Sequence, residues 1–109
     1  MMENITILDM QSLVLGGKIL WTEHMALRMR DRSIKRTDVI TCLINGEIIE
    51  QYPDDTPYPS CLILGVSANG KAMHIVCSLN WGIACCMITA YYPSLDKWES
   101  DFKTRKVVK

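Results

Sequence analysis

The chain of 109 residues contains no apolar run near the roughly 20 residues that a membrane-spanning helix requires. Its opening, MMENITILDMQS, has no basic stretch and no small-residue cleavage site, so no signal peptide is expected. These absences make the cytoplasm the expected compartment and exclude a membrane partner. No C-x-x-C occurs, and the five cysteines are an odd number, so reduced thiols are expected rather than a disulfide framework. There are only two histidines, His24 and His74, and neither falls at ligand spacing with a cysteine pair. No metal and no cofactor is therefore expected. A phosphate-cradling glycine loop is missing, because Gly16-Gly17 reads as a helix stop. Asp54-Asp55 lacks the glycine and spaced acids of a calcium loop. Net charge is zero, which excludes strong global attraction to nucleic acid.

What is present is a hydrophobic share of 49%, enough for one core and a single domain over residues 1–109. Charge is segregated. Residues 18–36 carry a local +4 and residues 103–109 another +4, whereas residues 37–101 carry −6. Two basic segments in a neutral chain point to a phosphate-bearing partner.

Apolar spacing predicts three helices, then strands. The first covers about residues 8–15, with Asp9 as its cap. The second runs from Glu23 to about Arg32, capped by Thr22, with Met25, Ala26 and Met29 as the core stripe. The third covers about residues 38–45, capped by Thr37 and ended by Asn45-Gly46. Strands follow over residues 47–52, 61–66, 71–79 and 83–91, broken by a loop with three prolines at 53–59. Asn69-Gly70 signals a two-residue hairpin, which would put Gly65 opposite His74. Pro93 stops the last strand, and Ser94 caps a short C-terminal helix that Trp98 and Phe102 dock on the sheet. Beyond it a mobile basic tail is expected. The fold class is α+β, with N-terminal helices on an antiparallel meander.

Candidate chemistry centres on the second helix. His24, Arg28 and Arg32 follow at four-residue spacing and so project from one face. Histidine suits proton transfer near neutral pH, and the planar arginine fork suits phosphate. Histidine plus arginine without a metal fits RNA cleavage by attack of the ribose 2′-hydroxyl on its own phosphorus. His24 or His74 would be base or acid, with Arg28 and Arg32 as the charge clamp. Thr89 and Tyr91 share one face of the last strand and could add hydroxyl donors or a stacking ring. Whether they share it with His74 depends on the register across Asn80-Trp81-Gly82. A three-residue turn opposes His74 to Ile88 and sends Thr89 away; a bulge or a four-residue count reverses this.

The runs from Trp21 to Ile34, Asn45 to Glu50 and Tyr52 to Asp55, with His74-Ile75-Val76, Ile88 to Tyr91 and Lys97-Trp98-Glu99, resemble a bacterial domain-of-unknown-function family. The likeness covers about residues 18–105. That family looks related to the RelE and BrnT toxins, often encoded beside an MqsA-like zinc-finger antitoxin. The resemblance implies a RelE/barnase-like metal-independent ribonuclease with RNA as substrate and an antitoxin as partner. It carries over to His24, Arg28, Arg32, His74, Thr89 and Tyr91. Ser33 stands where the family usually has glycine, and Cys85-Cys86-Met87 is unusually sulfur-rich. The alternative is a non-catalytic module that binds a protein or nucleic acid through the basic helix face.

Overall fold

A computed structural model describes residues 4–107; the first three residues and the last two, with Lys109 of the basic tail, lie outside that range. The elements run α1 (Ile7–Leu15), β1 (Ile19–Trp21), α2 (Glu23–Asp31), α3 (Arg36–Asn45), β2 (Glu47–Tyr52), β3 (Ser60–Val66), β4 (Ala72–Asn80) and β5 (Ala84–Tyr91). Five strands form one sheet in the order β1-β5-β4-β3-β2. The fold is α+β. Strands β2 to β5 make the expected antiparallel meander, but the sheet is mixed, because β1 adds parallel to β5.

The helices begin where polar side chains can satisfy their first N–H groups. Thr22 caps α2 as expected, accepting the Met25 N–H at 3.1 Å. The cap of α1 is Thr6 rather than Asp9, which sits inside the first turn and gives Thr6 Oγ1 its N–H at 3.1 Å. Thr37 lies within α3, not before it. The helix starts at Arg36, because the Asp38 carboxylate reaches back to the Lys35 N–H at 2.9 Å. At the end of α2, Ile34 N–H donates to Met29 O at 2.8 Å and Ser33 N–H to Arg30 O at 3.2 Å. This is the paired closure that needs a left-handed residue, and Ser33 supplies it at φ 56°. A Cβ in that conformation costs about 1–2 kcal/mol. Ser33→Gly is therefore expected to stabilise the chain by about 1 kcal/mol, read as a raised midpoint in thermal unfolding.

All three helices pack on one face of the sheet. Met10, Leu13 and Val14 of α1, Met25 and Met29 of α2, and Val39, Cys42 and Leu43 of α3 meet Cys61, Ile63, Met73, Ile75, Cys77, Leu79, Cys85 and Met87. Strand alternation sends His74 and Leu62 to the opposite face, and both are buried there, with Trp98, outside the main core.

Two expectations about connections are corrected. The hairpin between β3 and β4 is not a two-residue turn. Gly70 N–H donates to Ser67 O and Ser67 N–H to Lys71 O, both at 2.9 Å, and only Gly70 is left-handed. The Asn69 side chain stabilises this wider turn by accepting the Lys71 N–H at 3.1 Å. The register moves by one residue, so Leu64 opposes His74 and Gly65 opposes Met73. Gly65 thus faces α3 and opens no space beside His74. A Cβ there would lie 2.8 Å from both Asn45 Oδ1 and Cys42 Sγ and would also strike the Cys42 carbonyl. The Asn45 side chain closes the same contact, pairing with Val66 N and Val66 O at 2.8 Å each. Gly65→Ala is expected to destabilise the chain by about 1–3 kcal/mol, because backbone would have to move. Denaturant unfolding checks this.

The second correction concerns residues 93–107, which form no C-terminal helix and no free tail. One turn follows Ser94, where Trp98 N–H donates to Ser94 O at 3.2 Å. The Asp101 carboxylate then accepts the Lys103 and Thr104 N–H groups at 2.9 and 3.0 Å, and Phe102 is left-handed at φ 56°. The chain folds back, Trp98 bridges Arg105 as an isolated antiparallel pair, and Trp98 docks on the sheet as expected. Among the described residues no helix is long and apolar enough to cross a membrane.

Candidate functional site

The methionine stripe Met25/Met29 holds α2 against the core, and this sets the direction of its neighbours. His24, Arg28 and Arg32 are exposed. Arg28 Nε donates to His24 Nε2 at 3.4 Å. Arg32, at the end of the helix, reaches the sheet. Its Nη1 donates to Ala90 O at 2.8 Å and to Thr89 Oγ1 at 3.1 Å. The reason is a strand that stops. β1 pairs with β5 only as far as Trp21 opposite Met87, so the edge beyond Met87 has no strand partner and the guanidinium takes its place.

The register question is resolved by a bulge. The turn is Trp81-Gly82-Ile83, with Asn80 opposite Ala84, so β4 runs one residue further and β5 starts one residue later than expected. Cys77 opposes Met87 but Val76 opposes Thr89, which leaves Ile88 as the extra residue. Tyr91 consequently stands opposite His74, and Thr89, Tyr91 and His74 share the face turned away from the helices.

His74 is fully buried there. Its Nε2 lies 2.7 Å from Phe102 O and its Nδ1 3.1 Å from Tyr91 Oη. A carbonyl can only accept, so Nε2 carries the proton, and Nδ1 accepts from the tyrosine hydroxyl. Trp98 meets the imidazole edge-on at 4.5 Å between centroids. Burial pushes the His74 pKa below its ordinary 6.5, outweighing the Phe102 contact and the Glu50 charge that favour protonation. Burial likewise raises the Tyr91 pKa.

The cover over His74 is held by charge. Arg105 makes two hydrogen bonds to the Glu50 carboxylate, at 2.8 and 2.9 Å, and lies 4.6 Å over the Trp98 ring. Lys103 pairs with Glu47 at 2.6 Å. The Arg105 bond holds Glu50 below the usual carboxylate range. Tyr52, which donates to Glu50, is pushed up to about 12, first by burial and then by that carboxylate.

The six candidate residues thus fall into two groups. His24, Arg28 and Arg32 form an exposed row on α2. His74, fully buried, and Tyr91, half-buried, form a pair on the far face of the sheet. Arg32 bonded to Thr89 is the link between them. Glu50, Trp98 and Arg105 lie around His74, with Tyr52 bonded to Glu50, and none of the four was a candidate site residue from sequence. The alternation of Glu50 and Tyr52 along β2 was the available signal.

Cys42 and Cys77 are poor nucleophiles. Cys61 and Cys77 lie 3.9 Å apart in the core, and the neighbouring thiols and burial push Cys77 well up. Burial raises Cys42 to about 12. Among the described residues, no group of three or more His, Cys, Asp or Glu side chains is placed to hold a metal ion.

The model of the family described as a domain of unknown function, DUF4258, matches residues 21–92, and the chain belongs to that family. The match runs from the end of β1 through β5 and includes all six candidate residues; α1 and the covering segment 93–107 lie outside it. No curated protein and no solved structure matches the chain.

Proposed function

We propose that this DUF4258 domain is a metal-independent endoribonuclease of toxin type, acting in the cytoplasm and restrained by an antitoxin protein. The observation that carries the reading is the exposed row on α2. An imidazole is held by one arginine, and a second arginine one turn on is pinned to Thr89. In this mechanism Arg28 moves from His24 onto the scissile phosphate, and His24 Nε2 takes the 2′-hydroxyl proton. The O2′–P bond forms, the P–O5′ bond breaks, and the leaving oxygen takes a proton from solvent. Arg28 and Arg32 neutralise the charge that builds on phosphorus. The products are a 2′,3′-cyclic phosphate and a 5′-hydroxyl. Helices stacked on one face of an antiparallel meander support kinship with RelE- and barnase-like ribonucleases, and the toxin role rests on the family resemblance.

One observation favours the second reading, a non-catalytic module. His74 is sealed, so only one imidazole faces solvent. The test is incubation of the full chain with single-stranded RNA in excess chelator. Appearance of 2′,3′-cyclic phosphate ends supports the ribonuclease. RNA that is bound but uncut, with binding lost when Arg28 and Arg32 are both replaced by Gln, supports the module.

A further inference from the structure

On the sheet face away from the helices lies a cleft of about 480 Å³. That is within the range of sites for small organic ligands. Its walls are apolar side chains that folding has left in water. Ile83 is 64% exposed, Leu20 52%, Tyr58 42% and Ile88 37%. Four large apolar groups converging on one concavity are unlike the scattered exposed residues of an ordinary surface. Two features of the fold bring them there. The parallel strand β1 adds Leu20 at the sheet edge, and the bulge gives β5 the unpaired Ile88. The opposite wall is the loop between β2 and β3, where Pro53, Pro57 and Pro59 restrict the backbone. A preorganised wall loses little entropy on binding.

The polar groups indicate the ligand's charge. Asn80 and Asp55 line the cleft and no Lys or Arg does, and the Asp55 carboxylate accepts a hydrogen bond from the Ser60 hydroxyl. Asp54 adjoins Asp55 in sequence. An anion would meet the Asp55 carboxylate with no cationic side chain in the lining to offset it, whereas a cation would be attracted. We propose that this cleft binds a small organic cation with an apolar body, an arylalkylammonium ion being the type, with the ring against Leu20, Ile83 and Ile88 and the ammonium toward Asp55. The site does not depend on ribonuclease activity, since it shares no residue with the α2 row.

The experiment is a two-dimensional amide NMR titration of the full chain with phenethylammonium and, separately, with 3-phenylpropionate, its anionic counterpart of similar shape. Phenethylammonium is expected to give saturable shifts at Asn80, Cys86 and Ile88, with a dissociation constant of roughly 1–10 mM for so few atoms. The anion should bind about threefold more weakly or worse. Asp55→Asn should remove the difference between the two. Ile83→Lys, at an exposed turn position where folding is not at stake, should abolish binding of the cation. Absence of saturable shifts at these residues overturns the proposal. So does equal binding of both probes to the wild-type chain, or a preference for the cation that persists in Asp55→Asn.

Discussion

His24→Ala is expected to lower RNA cleavage by roughly 10²- to 10⁴-fold, the span typical for removal of a positioned general base. The thermal midpoint should hardly move, because the side chain is exposed and its recorded partner is another exposed side chain. That combination separates a chemical role from a structural one. Folding is anchored by Met25 and Met29 on the adjacent stripe, and the helix start by Thr22, neither of which the substitution touches. Arg28→Ala should weaken RNA binding and cleavage together, since the guanidinium serves the phosphate in both states. Arg32→Ala differs again. It deletes the bonds to Thr89 and to the unpaired edge carbonyl of Ala90, so some loss of stability accompanies the loss of activity. Full cleavage by His24→Ala, measured beside wild type in chelator, overturns the assignment of the base.

How much of this was legible in the sequence depends on how local each feature is. β2 was read at its true bounds, because it lies between a helix stop and a proline loop that fix both ends. The α2 row was legible for the same reason: a cap, a methionine stripe and a four-residue spacing are all set within one helix. β1 was missed. Its three residues are too few to show a period, and its partner Cys85-Cys86-Met87 lies far along the chain. The bulge at Ile88 leaves no mark in composition, yet it decides that Tyr91 and not Ala90 faces His74. The hairpin at Asn69-Gly70 was located correctly but closed one residue wider, through a side-chain bond that pattern alone does not weigh. The C-terminal helix failed where Asp101 captured two backbone N–H groups and Phe102 took a left-handed turn.

That last departure changes the role of one histidine. From sequence His74 was an even candidate with His24 for proton transfer. Under residues 93–107 it has no path to solvent, its proton is fixed on Nε2, and its free lone pair is used by Tyr91. It positions Tyr91 and anchors the covering segment. The sheet therefore separates the exposed row of His24, Arg28 and Arg32, on the helix side, from a face closed by Trp98 and, farther along, open as an apolar cleft.

His74→Ala is accordingly expected to cost stability rather than chemistry, by about 3–5 kcal/mol. The substitution empties the space between Trp98 and Tyr91, leaves Phe102 O without its donor, and takes the acceptor from Tyr91 Oη. His74→Gln, which can both donate and accept, should recover part of the loss. The pH dependence gives an independent check. Burial depresses the folded-state pKa below 6.5, so on acidification the unfolded chain takes up a proton that the folded chain refuses. Wild-type stability from this group is complete above pH 6.5 and erodes as pH falls from there through the folded-state value. Glu50, held low chiefly by Arg105, contributes its own loss only below its ordinary 4.5. Between these two values the wild-type chain should lose stability with a slope that His74→Ala lacks. Denaturant midpoints across that interval measure it. Parallel curves for the two proteins would mean that the His74 proton is not coupled to folding, and the sealed, neutral imidazole would have to be given up.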